Sequence, residues 1–207
     1  MEICSKQELK FYLMADRMMN RGKFKPSFKD YILDFIMPDY IMRFLKLMRK
    51  VSYYSTRDGV GKYLCYYYKL KYNKISIKLG FSIGFNCFGY GLVIPHYGTI
   101  VVGRSNRIGN YAVLHTSTCI SDNEKQIGNA LYLSTGVKIT SKIILGDNIS
   151  VGANSLVNKS NLTGNVMLAG SPAKEIKTAE PWYIRDGQTY SSRVDMIENL
   201  KKQMLKK

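Results

Sequence analysis

His96 and His115 are the two histidines of the chain, and their side chains suit proton transfer near neutral pH best. A neutral imidazole has an ordinary pKa of about 6.5, so it can accept the proton of a hydroxyl group near pH 7. A general base of this kind contributes about 10²–10⁴-fold to a rate. A single histidine is more often structural than catalytic, so the elements that hold these side chains decide what they do.

The cysteines do not form a metal site by their spacing. Cys4, Cys65, Cys87 and Cys119 lie far apart, and no C-x-x-C pair occurs. With two histidines to help them, such cysteines are typical of a reduced, cytoplasmic chain without structural zinc. We therefore expect no metal.

A six-residue repeat runs through residues 102–157. His96 lies just before this repeat, and His115 lies within it. An aliphatic residue returns every six positions in two frames, separated by one extra residue, and Gly, Ser or Thr follows it in eight of ten repeats. An apolar helix face returns at three and four residues and a strand at two, whereas a period of six indicates a parallel β-helix. The repeated aliphatics are Val102, Ile108, Leu114, Ile120, Ile127, Leu133, Ile139, Leu145, Val151 and Val157.

The histidines occur where this repeat is irregular. The step from Ile94 to Val102 is eight residues, and His96 lies within it. Interruptions of a regular ladder push side chains outward and are over-represented beside active sites. His115 follows Leu114 at a corner position that is small in most repeats. A second break, at residues 122–125, predicts a polar corner loop.

Helices are expected on both sides of the repeat. Residues 1–79 form an α-helical N-terminal region, with a capping box at Ser5 and segments near 28–36, 38–54 and 62–74. Tyrosines and lysines alternate in the last segment, which favours the core and rim of a helical bundle over contact with nucleic acid or membrane. Residues 80–177 form the coil. Residues 178–207 form a tail whose helix, from about 191, suits a cap on the open end of the coil.

The chain is strongly basic. Its net charge is +16, with +10 in residues 1–79 and +6 in residues 80–207. A basic surface favours anionic partners such as nucleic acid, an acidic membrane surface or phosphorylated small molecules, although it also serves solubility alone. No apolar run approaches the length of a membrane span, and the first residues lack the pattern of a secretory signal.

The repeat, residues 91–103 and residues 169–174 together resemble a known family. Over about residues 80–177 the chain is similar to the hexapeptide-repeat acyltransferase superfamily, in its serine acetyltransferase-like and polysaccharide O-acetyltransferase branch. The resemblance implies a mainly β, left-handed parallel β-helix that forms trimers. It also implies acetyl-CoA as cosubstrate, bound between neighbouring coils, with a histidine as general base. His96 matches that histidine by position.

The same resemblance assigns further site residues. It places His115 and Tyr97 near the acceptor, although His115 could also be a structural corner residue. Backbone on successive turns and at the last turn would contact CoA, while Lys159 and Lys174 suit its phosphates or are ordinary surface lysines. The matching positions are Ser134, Thr135, Gly136, Gly152, Ala153, Lys159, Gly170 and Lys174.

Departures from the serine enzymes bear on the acceptor. Pro95 stands where those enzymes have an aspartate before the histidine, Phe81 is not acidic, and the long glycine-rich loop is missing. The sequence therefore predicts an O-acetyltransferase acting on a sugar hydroxyl of a surface polysaccharide or its precursor, with serine O-acetyltransferase as the alternative. A non-catalytic basic scaffold or nucleic-acid-binding coil is the competing class. The basic helices suggest peripheral contact with an anionic membrane surface.

Overall fold

A computed structural model of the protein describes residues 2–205. Four helices precede the coil and two follow it, and within the described residues no helix is long and apolar enough to cross a membrane. They are α1 (Lys6–Arg21), α2 (Phe28–Ile36), α3 (Tyr40–Tyr54), α4 (Val60–Leu79), α5 (Trp182–Arg185) and α6 (Gln188–Met204).

Short strands wind into a parallel coil with three sheets. The first sheet contains β1 (Phe81–Ile83), β2 (Ile100–Val102), β5 (Thr118–Ile120), β8 (Lys138–Ile139) and β11 (Leu156–Val157). The second contains β4 (Val113–Leu114), β7 (Tyr132–Leu133), β10 (Ile149–Val151) and β12 (Val166–Gly170), closed by the antiparallel β13 (Ala173–Thr178). The third contains β3 (Arg107–Ile108), β6 (Gln126–Ile127) and β9 (Ile144–Leu145).

The six-residue repeat builds the core of the coil, as predicted. Val102, Ile120 and Ile139 pair in register on successive turns of the first sheet and are fully or almost fully buried. The residue after each of them stands at a crowded corner. At Gly103 a Cβ atom would lie 2.3 Å from the Cα of Asp122, so a side chain does not fit there. The predicted parallel β-helix is confirmed.

The helical region is also confirmed, and it is continuous with the coil. The Ser5 capping box is present, and α4 is longer than the predicted segment. Phe44 and Leu45 of α3 belong to the same buried cluster as Phe81 and Ile83 of the coil. One core therefore crosses residue 79, and the proposed domain boundaries stay a prediction.

A buried ion pair joins the helices to the first turns of the coil. Arg49 of α3 donates to both carboxylate oxygens of Asp16 of α1, at 2.8 and 3.1 Å. Arg49 also donates to the carbonyls of Phe88 and Gly89, while Asp16 Oδ1 accepts from the N–H groups of residues 91 and 92. The pair therefore fixes the segment that leads to His96.

The C-terminal helix does not cover the open end of the coil, contrary to expectation. α6 returns to α1, and its Val194 and Ile197 share a buried cluster with Phe11 and Met19. The apolar seam of α6 was predicted correctly. Its partner was not, because the aromatic and methionine side chains of α1 offer it an apolar face beside the coil.

Tyr63, Tyr66 and Tyr67 of α4 do not lie in the core of a helical bundle, whereas Tyr72 of the same helix is buried. Tyr63 and Tyr66 are largely exposed, whereas Cys65 and Tyr72 make the buried contacts of this helix. α4 packs on one side only, against α3 and the start of the coil, so the opposite side of the helix faces solvent.

Lys125 of the predicted polar loop is buried within the coil. Lys125 lies two residues before the buried Ile127, so its side chain points to the same inward side of the coil. Its Nζ donates to the carbonyl and the hydroxyl of Ser121 at 2.7 and 3.0 Å. Burial lowers the pKa of this ammonium. The rest of the loop is polar and exposed, with an ion pair between Glu124 and Lys142.

Candidate active site

The structure brings His96 and His115 together, with 6.3 Å between their ring centroids. His96 lies on the loop between Ile94 and β2, and His115 follows β4. They meet because Val93 and Val113 pair on neighbouring turns of the coil and both segments then leave the sheet at the same corner. His96 is exposed, and its imidazole makes no hydrogen bond to another residue within the described chain. It is therefore open to a ligand.

His115 is held from within the chain. Its Nε2 lies 3.0 Å from the hydroxyl of Tyr132. Burial, together with the neighbouring His96, holds the pKa of the His115 imidazole below its ordinary value, while Asp186 opposes this shift. His115 is consequently neutral near pH 7. An uncharged imidazole therefore lies beside the exposed imidazole of His96.

The loop of His96 rests on the end of α4. Gly98 donates its N–H to the Leu79 carbonyl at 3.0 Å and has φ 136°, a conformation that side chains disfavour. Pro95, His96 and Tyr97 line one side of a cavity of about 940 Å³, whose other walls come from α1, α2 and α3. Of the two predicted acceptor residues, Tyr97 lines this cavity and His115 does not, and the cavity has room for a small molecule.

Six of the predicted CoA positions lie on the same corner of the coil as His115. Leu114, Leu133, Val151 and Leu168 pair in succession, so the residues that follow them form a column from His115 through Ser134 and Gly152 to Ala169. The turns that follow this column are stacked too, since Gly136 donates its N–H to the carbonyl of Thr116 and Asn154 donates its N–H to that of Thr135. The predicted positions on this corner are Ser134, Thr135, Gly136, Gly152, Ala153 and Gly170.

The two predicted lysines lie in different places. Lys174 is exposed on β13, paired with Ala169 at the end of the column. Lys159 is exposed in the turn after β11, at the corner of the coil that also carries residues 122–125. Within one chain, Lys174 is therefore close to the column and Lys159 is not.

Tyr132, Arg185 and Asp186 belong to this site but were missed from the sequence. The guanidinium of Arg185 lies 4.5 Å from the ring centroid of Tyr132, and Arg185 Nε donates to Asp186 at 2.8 Å. Tyr132 could have been found, because Val113 and Tyr132 pair one coil turn apart. Arg185 and Asp186 follow the repeat in sequence, and nothing in their local pattern indicates that α5 returns to this corner.

The low pKa of His115 gives a direct test of the histidine pair. In an NMR titration the His115 imidazole should show a midpoint below about 6.5, the ordinary value. The substitution His96→Asn should raise that midpoint, because it removes the repulsion between two protonated rings. A His115 midpoint above the ordinary value, or one unchanged by His96→Asn, would contradict the arrangement.

Comparisons with known proteins agree with this architecture. No family model matches the chain. A serine acetyltransferase of Helicobacter pylori strain 26695 is 30% identical over 95 residues, which are 42% of this chain and 55% of that protein. The chain thus spans about half the length of this relative.

Solved structures show the same fold. Neisseria gonorrhoeae serine acetyltransferase in complex with serine has a TM-score of 0.62 and 21% identity, over 84% of this chain and 71% of that one. A serine acetyltransferase in complex with CoA has a TM-score of 0.60 and 18% identity, over 81% and 68%. The coil and these likenesses fit the hexapeptide-repeat acyltransferase superfamily, as the sequence predicts. The chain is similar to serine acetyltransferases in fold and, over 95 residues, in sequence.

Proposed function

We propose that the protein is an acetyl-CoA-dependent O-acetyltransferase with His96 as general base. The observation that carries the proposal is the single coil corner on which His96, His115 and the column from Ser134 to Ala169 lie together. An exposed imidazole at one end of a stacked column suits a long thioester substrate whose reactive end meets the base. The similarity to serine acetyltransferases supports the same chemistry.

The proposed reaction is a direct transfer. His96 removes the proton of the acceptor hydroxyl, and the oxygen attacks the thioester carbonyl carbon. Backbone N–H groups at the coil corner stabilise the negative oxygen of the tetrahedral intermediate. The carbon–sulfur bond then breaks, and the protonated His96 returns its proton to the departing CoA sulfur. Acetyl ester and free CoA are the products.

The proposal includes a cytoplasmic homotrimer. His96 has no hydrogen-bond partner within the described chain, so a neighbouring coil is a suitable source of the group that orients its imidazole. Lys159, which lies away from the column of its own chain, is suitably placed to face the column of a neighbour. Both points support a site completed between subunits.

L-Serine is the acceptor that the relatives support best, ahead of the sugar expected from the sequence. Positions 81 and 95 hold no acid, which favoured a sugar. Asp186, however, pairs with Arg185, whose guanidinium lies over Tyr132, and so brings a carboxylate to this corner from the C-terminal segment. A carboxylate here suits the ammonium group of serine, so the missing acids at 81 and 95 do not exclude serine.

The acceptor is tested by measuring free CoA release from acetyl-CoA with L-serine and with a panel of sugars. We expect saturable turnover with L-serine. Turnover with a sugar and none with serine would establish the second candidate. No binding of acetyl-CoA by calorimetry would overturn the enzyme proposal and favour a basic scaffold.

The role of Asp186 gives a separate prediction. Asp186→Asn should raise the KM for L-serine about tenfold, since one charge-assisted contact to the ammonium is lost, and should change the KM for acetyl-CoA little. Glu175→Gln on β13 is a matched control that removes an exposed carboxylate. An equal effect of both substitutions on the KM for serine would contradict the assignment.

A further inference from the structure

Helix α2 turns its polar side to the protein and its apolar side to solvent, which is the reverse of an ordinary surface helix. Asp30 receives hydrogen bonds from Arg17 and Lys23 at 3.0 and 2.7 Å, and Asp34 receives two from Arg43 at 2.9 and 3.2 Å. These ion pairs tie the polar side of α2 to the body of the protein. No residue of α2 is buried, and the cavity beside His96 lies behind the helix.

The opposite side of α2 is apolar and faces solvent. Phe28, Ile32, Phe35 and Ile36 follow one another at helical spacing on this side, which we call the apolar face of α2. Phe28 is 79% exposed, Phe35 is 88% exposed and Ile36 is 68% exposed. An amphipathic surface helix places such residues against its own protein, so this face is shaped for something outside the chain.

The charge around this face is positive. Residues 1–79 contain 17 basic and 7 acidic side chains, and four of the acids are already held in the ion pairs of Asp16, Asp30, Asp34 and Asp39. Five basic side chains form those ion pairs. The other twelve, which include Lys25 and Lys29 beside the apolar face, have no carboxylate within salt-bridge distance among the described residues.

We propose that the apolar face of α2 inserts into an anionic lipid surface, with Lys25 and Lys29, which flank this face in the sequence, contacting the headgroups. Exposed aromatic and aliphatic side chains flanked by lysine are the composition of helices that lie in the membrane interface. A second copy of the chain is a poorer occupant of this face, since a symmetric contact would bring Lys25 and Lys29 of one copy against the same lysines of the other. The proposal goes beyond the function proposed above, and lipid binding does not depend on acetyl transfer.

The experiment is co-sedimentation of the full chain with vesicles. We expect the protein to sediment with phosphatidylglycerol–phosphatidylcholine vesicles and to remain soluble with phosphatidylcholine alone, since one apolar helix is a weak anchor without the charge attraction. The double substitution Phe35→Glu, Ile36→Glu should weaken binding to anionic vesicles by at least about tenfold. Met196→Glu, on an exposed position of α6, is the matched control and should bind as the unmodified chain does.

Three results would overturn the proposal. They are no sedimentation with anionic vesicles, equal binding by the α2 variant and the control, and a fall in the solution mass of the α2 variant, which would show that a second copy covers this face. Free CoA release measured without vesicles tests the proposed enzyme separately. Loss of lipid binding with turnover intact therefore concerns α2 alone.

Discussion

Replacing His96 by alanine is expected to lower kcat for acetyl transfer by about 10²–10⁴-fold, the contribution of a general base. The reason is that the hydroxyl of the acceptor stays protonated without a neutral imidazole beside it. Because His96 is exposed and makes no hydrogen bond within the described chain, its loss should leave the free energy of unfolding and the affinity for CoA almost unchanged. Free CoA release, calorimetry and urea unfolding measure the three quantities.

A structural role for His96 would give a different pattern. Added imidazole should partly restore the rate of His96→Ala, because a small base can occupy the space that the side chain leaves. It should not act on the unmodified protein. Full activity of His96→Ala would refute the assigned base, and a large fall in stability would show that the histidine supports the loop instead.

Replacing Arg49 by methionine is expected to destabilise the protein by about 3–5 kcal/mol, the cost of leaving one member of a buried ion pair without its partner. The side chains of Arg49 and Asp16 are 1% and 2% exposed. Methionine fills much of the volume but leaves the Asp16 carboxylate and the carbonyls of Phe88 and Gly89 without this donor. Urea unfolding at fixed protein concentration measures the change.

Arg43→Met is the matched control for this prediction. Its pair with Asp34 is 41% exposed on both sides, so its loss should cost only about 0–1 kcal/mol. Equal destabilisation by the two substitutions would contradict the role given to Arg49. The Arg49 variant should also lose acetyl transfer, because Leu92, whose N–H binds Asp16, lies four residues before His96.

The fold could be predicted from sequence because the information is local and periodic. Each aliphatic of the repeat meets its equivalent on the next turn, so a period of six sufficed for the coil, and the Ser5 capping box sufficed for the start of α1. The proximity of His96 to His115 follows from the same stacking. The position of the interruption was therefore informative about the site.

What could not be predicted depends on contacts between distant segments. The return of α5 and α6 places Asp186 and Arg185 near His115, and it rests on apolar packing against α1 that no local pattern encodes. The outward face of α2 was missed for a similar reason. The sequence indicates a helix near residues 28–36, and the ion pairs of Asp30 and Asp34 with α1 and α3 show which side of it faces the protein.

The length of the stacked column beside His115 determines how long the proposed acetyl donor must be to contact all of it. Neighbouring strands of a sheet lie about 4.8 Å apart, so the three steps from Leu114 to Leu168 span about 14 Å along the coil. A donor that reaches both the histidines and Gly170 must be extended over that distance. In the proposed reaction, a short acetyl donor such as acetyl phosphate would contact the first step only, so the number of coil turns would favour a long donor over a short one.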